Sequence, residues 1–136
     1  MIKEAHVSFE VAQLLKEKGF NERSFGSYNG KGEFQEGWGK WNTTPIYYAA
    51  PTQQMVMKWL REVHDIHTEI CLYKTCENDV EPKKSRKAPY YTFGVWNSVT
   101  GDNVDKRLTN DFIGDTYEEA VEEAIKYCLE NLVKDN

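Results

Sequence analysis

The sequence predicts an α+β fold, an antiparallel sheet of about four to five strands packed with three amphipathic helices. Apolar residues recur at spacings of three and four in three segments, which is typical of helices with one buried face. Two other segments, 66–74 and 90–96, alternate as half-buried strands do. Connections between strands are short, which favours antiparallel pairing because parallel strands need a long crossover. The 136 residues suffice for one core, so we interpret 1–136 as a single domain.

The first helix is predicted over residues 8–18. Ser8 can cap its N-terminus, and Glu10 suits the positive end of the helix dipole. Gly19 stands where a helix stop is expected, and Phe20 follows as the hydrophobic partner of that stop. The apolar stripe is expected to consist of Val7, Val11, Leu14 and Leu15.

A region rich in Gly and aromatic residues, 21–50, is predicted to be β-structure. Residues 25–32 have the pattern of a strand that runs into a turn, and residues 34–41 that of the return strand. The dipeptide Asn29-Gly30 indicates a hairpin because both residues tolerate a positive φ.

The second helix is expected to begin after Thr52 as N-cap, with Pro51 just outside it. Its buried stripe is predicted to consist of Val56, Trp59, Leu60 and Val63. In the strand that follows, one predicted face holds Ile66, Thr68, Ile70 and Leu72, and the other holds His67, Glu69, Cys71 and Tyr73.

The next predicted elements are a strand over 90–96, a turn at 100–103 and a short strand over 104–109. Whether residues 97–115 form a strand, a lid or an interface stays open. The last helix begins with a capping box in which Thr116 is the N-cap and Glu119 the N3 residue. Its buried face is predicted to consist of Tyr117, Val121, Ala124, Ile125, Cys128, Leu129 and Leu132.

The amino-acid composition argues against several classes of protein. The net charge is −5 and the pI is near 5.2, which argues against nucleic-acid binding driven by bulk charge. No apolar run approaches the ~18 residues of a membrane span, and the N-terminus lacks the apolar segment of a signal peptide. We therefore expect a cytoplasmic protein without membrane association. Cys71, Cys76 and Cys128 are expected to be free thiols in that reducing compartment.

Several blocks resemble a known group of sequences. Ala50-Pro51-Thr52-Gln53 followed by residues 58–64 resembles a family of small uncharacterised bacterial proteins, often associated with prophages or mobile elements. Residues 14–22 and 116–120 are similar to the same family. The resemblance implies a compact cytoplasmic protein of phage origin, and it implies no activity, cofactor or catalytic residue.

The aromatic residues Trp38, Trp41, Tyr47 and Tyr48 are the first candidate site. Aromatic side chains are enriched at interfaces because they bury a large area with few rotatable bonds, so this cluster predicts a pocket or a protein-binding surface. The alternative is core packing, because a Gly-rich region offers few aliphatic side chains for a core.

Two further candidates remain open. His64 and His67 form a potential metal pair, to which Glu62, Asp65 or Cys71 could add a ligand; the alternative is a helix cap and a solvated strand residue. The basic run Lys83, Lys84, Arg86 and Lys87 next to Tyr90-Tyr91 fits single-stranded nucleic acid, but a solvated loop gives the same pattern.

The sequence favours a non-enzymatic accessory or interaction protein that binds another macromolecule. We expect that partner to be a protein, with a homodimer as one arrangement, and we predict no cofactor. A metal-dependent or small-ligand enzyme centred on His64 and His67 is the first alternative, and nucleic-acid binding through residues 83–87 is the second.

Overall fold

The computed structural model describes residues 2–73, 89–104 and 114–134. Within them the helices are α1 (Phe9–Glu17), α2 (Gln53–His64) and α3 (Tyr117–Asn131), and a short 3-10 helix spans Trp41–Thr43. The strands are β1 (Ser24–Tyr28), β2 (Phe34–Gly39), β3 (Tyr48–Ala49), β4 (Ile66–Tyr73) and β5 (Tyr90–Asn97). The predicted α+β fold class with antiparallel strands and three helices is confirmed.

Among the described residues the strands form two antiparallel sheets, β2-β1-β3 and β4-β5, where the sequence predicts a single sheet of about four to five strands. A short additional pairing follows β3 along the chain. There the N-terminal segment pairs with residues 51–53: Val7 donates its backbone N–H to the Pro51 carbonyl (3.0 Å), and Gln53 donates to the Ala5 carbonyl (2.8 Å). This pairing ties the start of α2 to the segment that precedes α1.

The register within each sheet is continuous except at one point. In the larger sheet Phe25 pairs with Trp38 and Ser27 with Gln35, so that Glu36 and Gly37 together lie opposite Gly26. The extra residue therefore lies in β2. In the smaller sheet every residue from Ile66 to Tyr73 has a partner in β5.

All three predicted helix N-caps are confirmed by hydrogen bonds. The side-chain oxygens of Ser8, Thr52 and Thr116 accept from the backbone N–H groups of Val11, Met55 and Glu119, respectively, at 3.1–3.2 Å. The Glu119 carboxylate accepts from the backbone N–H of Asp115 at 3.2 Å. A standard capping box would place this hydrogen bond on the N–H of Thr116, one residue later.

The hairpin between β1 and β2 is confirmed, but its turn differs from the prediction. The Asn29 side chain accepts from the backbone N–H groups of Lys31 (2.9 Å) and Glu33 (3.0 Å), which extends the loop beyond two residues. The positive φ consequently falls on Gly32, at +80°, and not on Asn29 or Gly30.

One hydrophobic core joins the helices and both sheets. It includes Val11, Leu15, Phe20, Ala49, Val56, Trp59, Leu60, Phe93, Val95, Val121, Ile125 and Leu129. Helix α3 packs against α1, α2, β4 and β5, and α2 packs against β4. No helix in the described ranges is long and apolar enough to cross a bilayer.

Two predicted core residues are exposed. Val63 is 56% exposed because the buried stripe of α2 runs through Gln53, Met57 and Leu60, and the next residue on that stripe is His64. Tyr117 at the start of α3 is 37% exposed. The predicted strand over 104–109 lies beyond Val104 outside the described residues, as does Cys76.

Candidate protein-binding surface

The structure separates the four aromatic residues that the sequence groups together. Trp38 is 61% exposed on β2. Trp41 and Tyr48 are half-buried and pack against the core, and the Tyr47 ring contacts the Trp41 ring with centroids 5.4 Å apart. Of these four residues, Trp38 is therefore the one whose aromatic ring is mostly exposed to a partner.

Two glycines explain why Trp41 folds back onto the protein. Gly37 and Gly39 alternate along β2, and a Cβ added to Gly39 would lie 3.0 Å from the Trp41 indole. The Trp41 Nε1–H donates to the Gly37 carbonyl at 3.0 Å. The face of β2 opposite Trp38 therefore carries no side chain at these two glycines, and the Trp41 ring packs against it.

Lys16 holds the loop that carries Tyr47. Its ammonium group donates to the carbonyl oxygens of Thr44 and Tyr47, both at 2.7 Å, and lies 4.8 Å from the centre of the Tyr48 ring. These contacts give Tyr47 and Tyr48 a structural role in fixing the loop to α1.

The exposed aromatic residues form a second group that the sequence analysis did not identify. Phe25 lies opposite Trp38 in the register, with ring centroids 5.4 Å apart, and Phe34 lines the same cavity as this pair. Phe25 is 40% and Phe34 43% exposed. We call Ile2, Phe25, Phe34, Trp38 and Met55 the Trp38 surface.

Two open cavities flank Trp38 and Met55. The first, of about 610 Å³, lies towards the N-terminal segment and is lined by Ile2, His6, Phe25 and Phe34 as well as by both central residues. The second, of about 530 Å³, lies towards the other end of α2 and is lined by Arg23, Lys40, Trp59 and Val63. Together they make an extended groove with the Trp38 indole in its middle.

The wall of the first cavity is held by hydrogen bonds and ring contacts. His6 Nδ1 donates to the Ala50 carbonyl at 2.7 Å, and its ring lies 5.0 Å from that of Phe34. Behind Phe34, the Tyr28 hydroxyl donates to the Val7 carbonyl at 2.7 Å. Burial raises the pKa of Tyr28, and the Glu122 carboxylate raises it further, so the phenol remains a donor at neutral pH.

Charged side chains of both signs surround the groove. The cations are Lys3, Arg23, Lys40 and Lys58, and the carboxylates are Glu4, Glu22, Glu36 and Glu62. An apolar centre within a mixed polar rim is the usual composition of a protein interface.

The two histidines lie in different environments. The His64 ring packs edge-on against Trp59 (4.6 Å between centroids), and its Nε2 is buried without a hydrogen-bond partner in the described ranges. Burial lowers the pKa of His64, partly offset by the Asp65 carboxylate. His67 lines a separate shallow cavity of about 350 Å³ with Glu69 and Trp96. Among the described residues no group of three His, Cys, Asp or Glu side chains is placed to hold a metal ion.

The basic run Lys83, Lys84, Arg86 and Lys87 lies outside the described residues, so the nucleic-acid hypothesis stays a prediction. The sequence does contain a signal for the Trp38 surface. Phe34 and Trp38 are separated by an even number of positions, which would place them on one face of a regular strand, although the extra residue at Glu36–Gly37 interrupts that regularity in β2.

Comparisons of the chain with protein-family models, with curated proteins and with solved structures found no match.

Proposed function

We propose that this chain is a protein-binding domain that captures a segment of a partner protein at the Trp38 surface. The observation that carries the proposal is the exposed Phe25–Trp38 ring pair, which lies between two cavities that share Trp38 and Met55. Tryptophan is among the residues that contribute most to binding energy at interfaces, particularly when pockets surround it.

Preorganisation supports the same function. Phe34 is backed by Tyr28 and His6, whose polar atoms are held by backbone carbonyls, and Trp38 lies on a strand paired along β1. A rigid surface loses little conformational entropy when a partner binds, which favours affinity.

The charges favour a protein over a nucleic acid. Four carboxylates line the groove beside four cations, so a phosphate backbone along the groove would meet as many repulsive as attractive groups. A protein segment can place charges of both signs to match them.

The test is a selection of peptides from a random displayed library against the purified chain. We expect binders whose affinity falls by at least about tenfold in Trp38→Ala, because truncation of a central Trp costs about 2 kcal/mol or more. Ile46→Ala is the matched control, since Ile46 is 63% exposed but lines neither cavity.

Sedimentation velocity of the same three proteins tests whether the occupant is a second copy of the chain. A dimer that dissociates in Trp38→Ala but not in Ile46→Ala would keep the Trp38 surface as an interface and make it a homodimer contact. Absence of both a Trp38-dependent peptide and a Trp38-dependent dimer would overturn the proposal.

A further inference from the structure

The end of the β1–β2 ladder brings two cations to the Trp38 surface. Ser24 pairs with Gly39 at the end of the ladder, so Arg23 and Lys40 leave the sheet at the same place. Both line the second cavity together with Trp38. Along β2, Lys40 follows Trp38 by two positions and Glu36 precedes it by two.

Neither cation is neutralised by a direct contact. Arg23 and Lys40 are exposed, and no ion pair or hydrogen bond joins either side chain to another residue in the described ranges. Lys58 in the same cavity lies 4.0 Å from Glu62, and Glu22 also lines the cavity. Two like charges that leave a sheet at the same end repel each other, so their placement there gives the fold no electrostatic stabilisation.

This cationic pair stands out in a chain whose net charge is −5. We infer that the segment bound at the Trp38 surface carries an aspartate or glutamate next to its apolar anchor, and that Arg23 and Lys40 bind this carboxylate. The inference rests on the proposed function and names the chemistry of the partner. A guanidinium can bind a carboxylate through two parallel hydrogen bonds, which fixes orientation as well as charge.

The opposite charge on the other side of Trp38 gives the segment a direction. Glu36 and Glu4 line the first cavity, where Lys3 is the accompanying cation. A segment with its acidic residue at the Arg23 end therefore keeps that carboxylate away from Glu36, whereas the reversed segment would bring two carboxylates together.

The experiment uses the strongest Trp38-dependent peptide from the library selection. Its affinity is measured by fluorescence anisotropy, alongside versions in which its acidic residues are changed to amides or to lysine. We expect the amide version to bind about tenfold more weakly to the wild type, a loss typical of a charge-assisted contact.

The reciprocal variants are Arg23→Glu/Lys40→Glu and the milder Arg23→Gln/Lys40→Gln. Both should weaken the acidic peptide, and the double Glu variant should recover binding to the lysine version. Lys31→Glu/Lys134→Glu is the matched control, because it makes the same change in net charge at two exposed lysines that line neither cavity. The control should bind the acidic peptide as the wild type does.

The outcomes separate the two proposals. The inference would be overturned, and the proposed function left in place, by either of two results. The first is a set of Trp38-dependent peptides without acidic residues. The second is equal binding of the acidic peptide to Arg23→Gln/Lys40→Gln and to the wild type. Absence of any Trp38-dependent peptide would overturn both. An oligothymidylate that binds through Trp38 with a steep salt dependence, where no peptide binds, would replace the protein partner with a nucleic acid.

Discussion

The indole ring of Trp41 lies over Gly39, with its Cε2 atom 3.0 Å from the position that a Cβ of Gly39 would occupy. The same indole donates a hydrogen bond to the carbonyl of Gly37. Trp41 is therefore packed against one face of β2, while Trp38 is exposed on the other face of the same strand.

Gly39→Ala should destabilise the protein by about 1–3 kcal/mol, because the Trp41 ring must shift by a few tenths of an ångström to accommodate the added methyl group. Gly30→Ala is the control, since no atom lies within 4 Å of a Cβ at Gly30 and its φ is not positive. Urea unfolding monitored by tryptophan fluorescence measures both. Equal stability of the two variants would contradict the packing described for Trp41.

Trp59→Ala should reduce the free energy of unfolding by about 3–5 kcal/mol, whereas Trp38→Ala should change it by less than about 1 kcal/mol. Trp59 is 7% exposed and its ring meets that of Phe20 edge-on at 5.2 Å. Chemical denaturation of both variants provides the comparison. A large loss in Trp38→Ala would mean that the Trp38 surface is part of the core.

Gln53 and Gln54 differ in burial although they are adjacent in α2. The Gln53 side-chain amide donates to the Glu118 carbonyl and to the Glu122 carboxylate, both at 3.0 Å, and the other Glu122 oxygen accepts from the Ser8 N–H at 2.7 Å. Gln53→Ala should cost about 1–3 kcal/mol because it removes a buried donor from these acceptors. The exposed Gln54→Ala should cost less than about 0.5 kcal/mol in the same denaturation assay.

The folded protein should lose stability as His64 becomes protonated. Burial lowers the pKa of His64 in the folded state, so the unfolded chain binds the proton first as the pH falls below about 6.5. This contribution to stability is present above that pH and is lost as the pH falls towards the folded-state pKa. Unfolding free energies of the wild type and His64→Gln between about pH 7.5 and 5.5 should show a smaller slope in the variant. Parallel pH profiles would contradict this assignment.

Local signals in the sequence predicted the helices well. Ser8, Thr52 and Thr116 each supply a side-chain oxygen to a nearby backbone N–H, so the cap depends on residues within three positions. The alternation over 66–74 grouped Ile66 with Thr68 on one face, and both are buried, whereas Leu72 of the same predicted face is 60% exposed.

Features that depend on distant residues were not predictable in this way. The pairing of residues 5–7 with residues 51–53 joins segments far apart in the chain, and the division of the strands between two sheets is likewise a matter of long-range pairing. The difference in exposure between Trp38 and Trp41 depends on which face of the strand lacks side chains. The contact between the Phe25 and Trp38 rings depends on the strand register. Met55, at the start of α2, lines the same cavities as Trp38, a relationship that no local pattern encodes.

The extra residue in β2 has a consequence for behaviour at high concentration. β2 is the outer strand of its sheet and carries exposed aromatic side chains, a combination that invites edge-to-edge stacking into fibrils. The irregularity at Glu36–Gly37 interrupts the even spacing of backbone donors and acceptors, and the Trp41 indole already occupies the Gly37 carbonyl. Both features make β2 a poorer template for edge-to-edge pairing than a regular strand of the same sequence length.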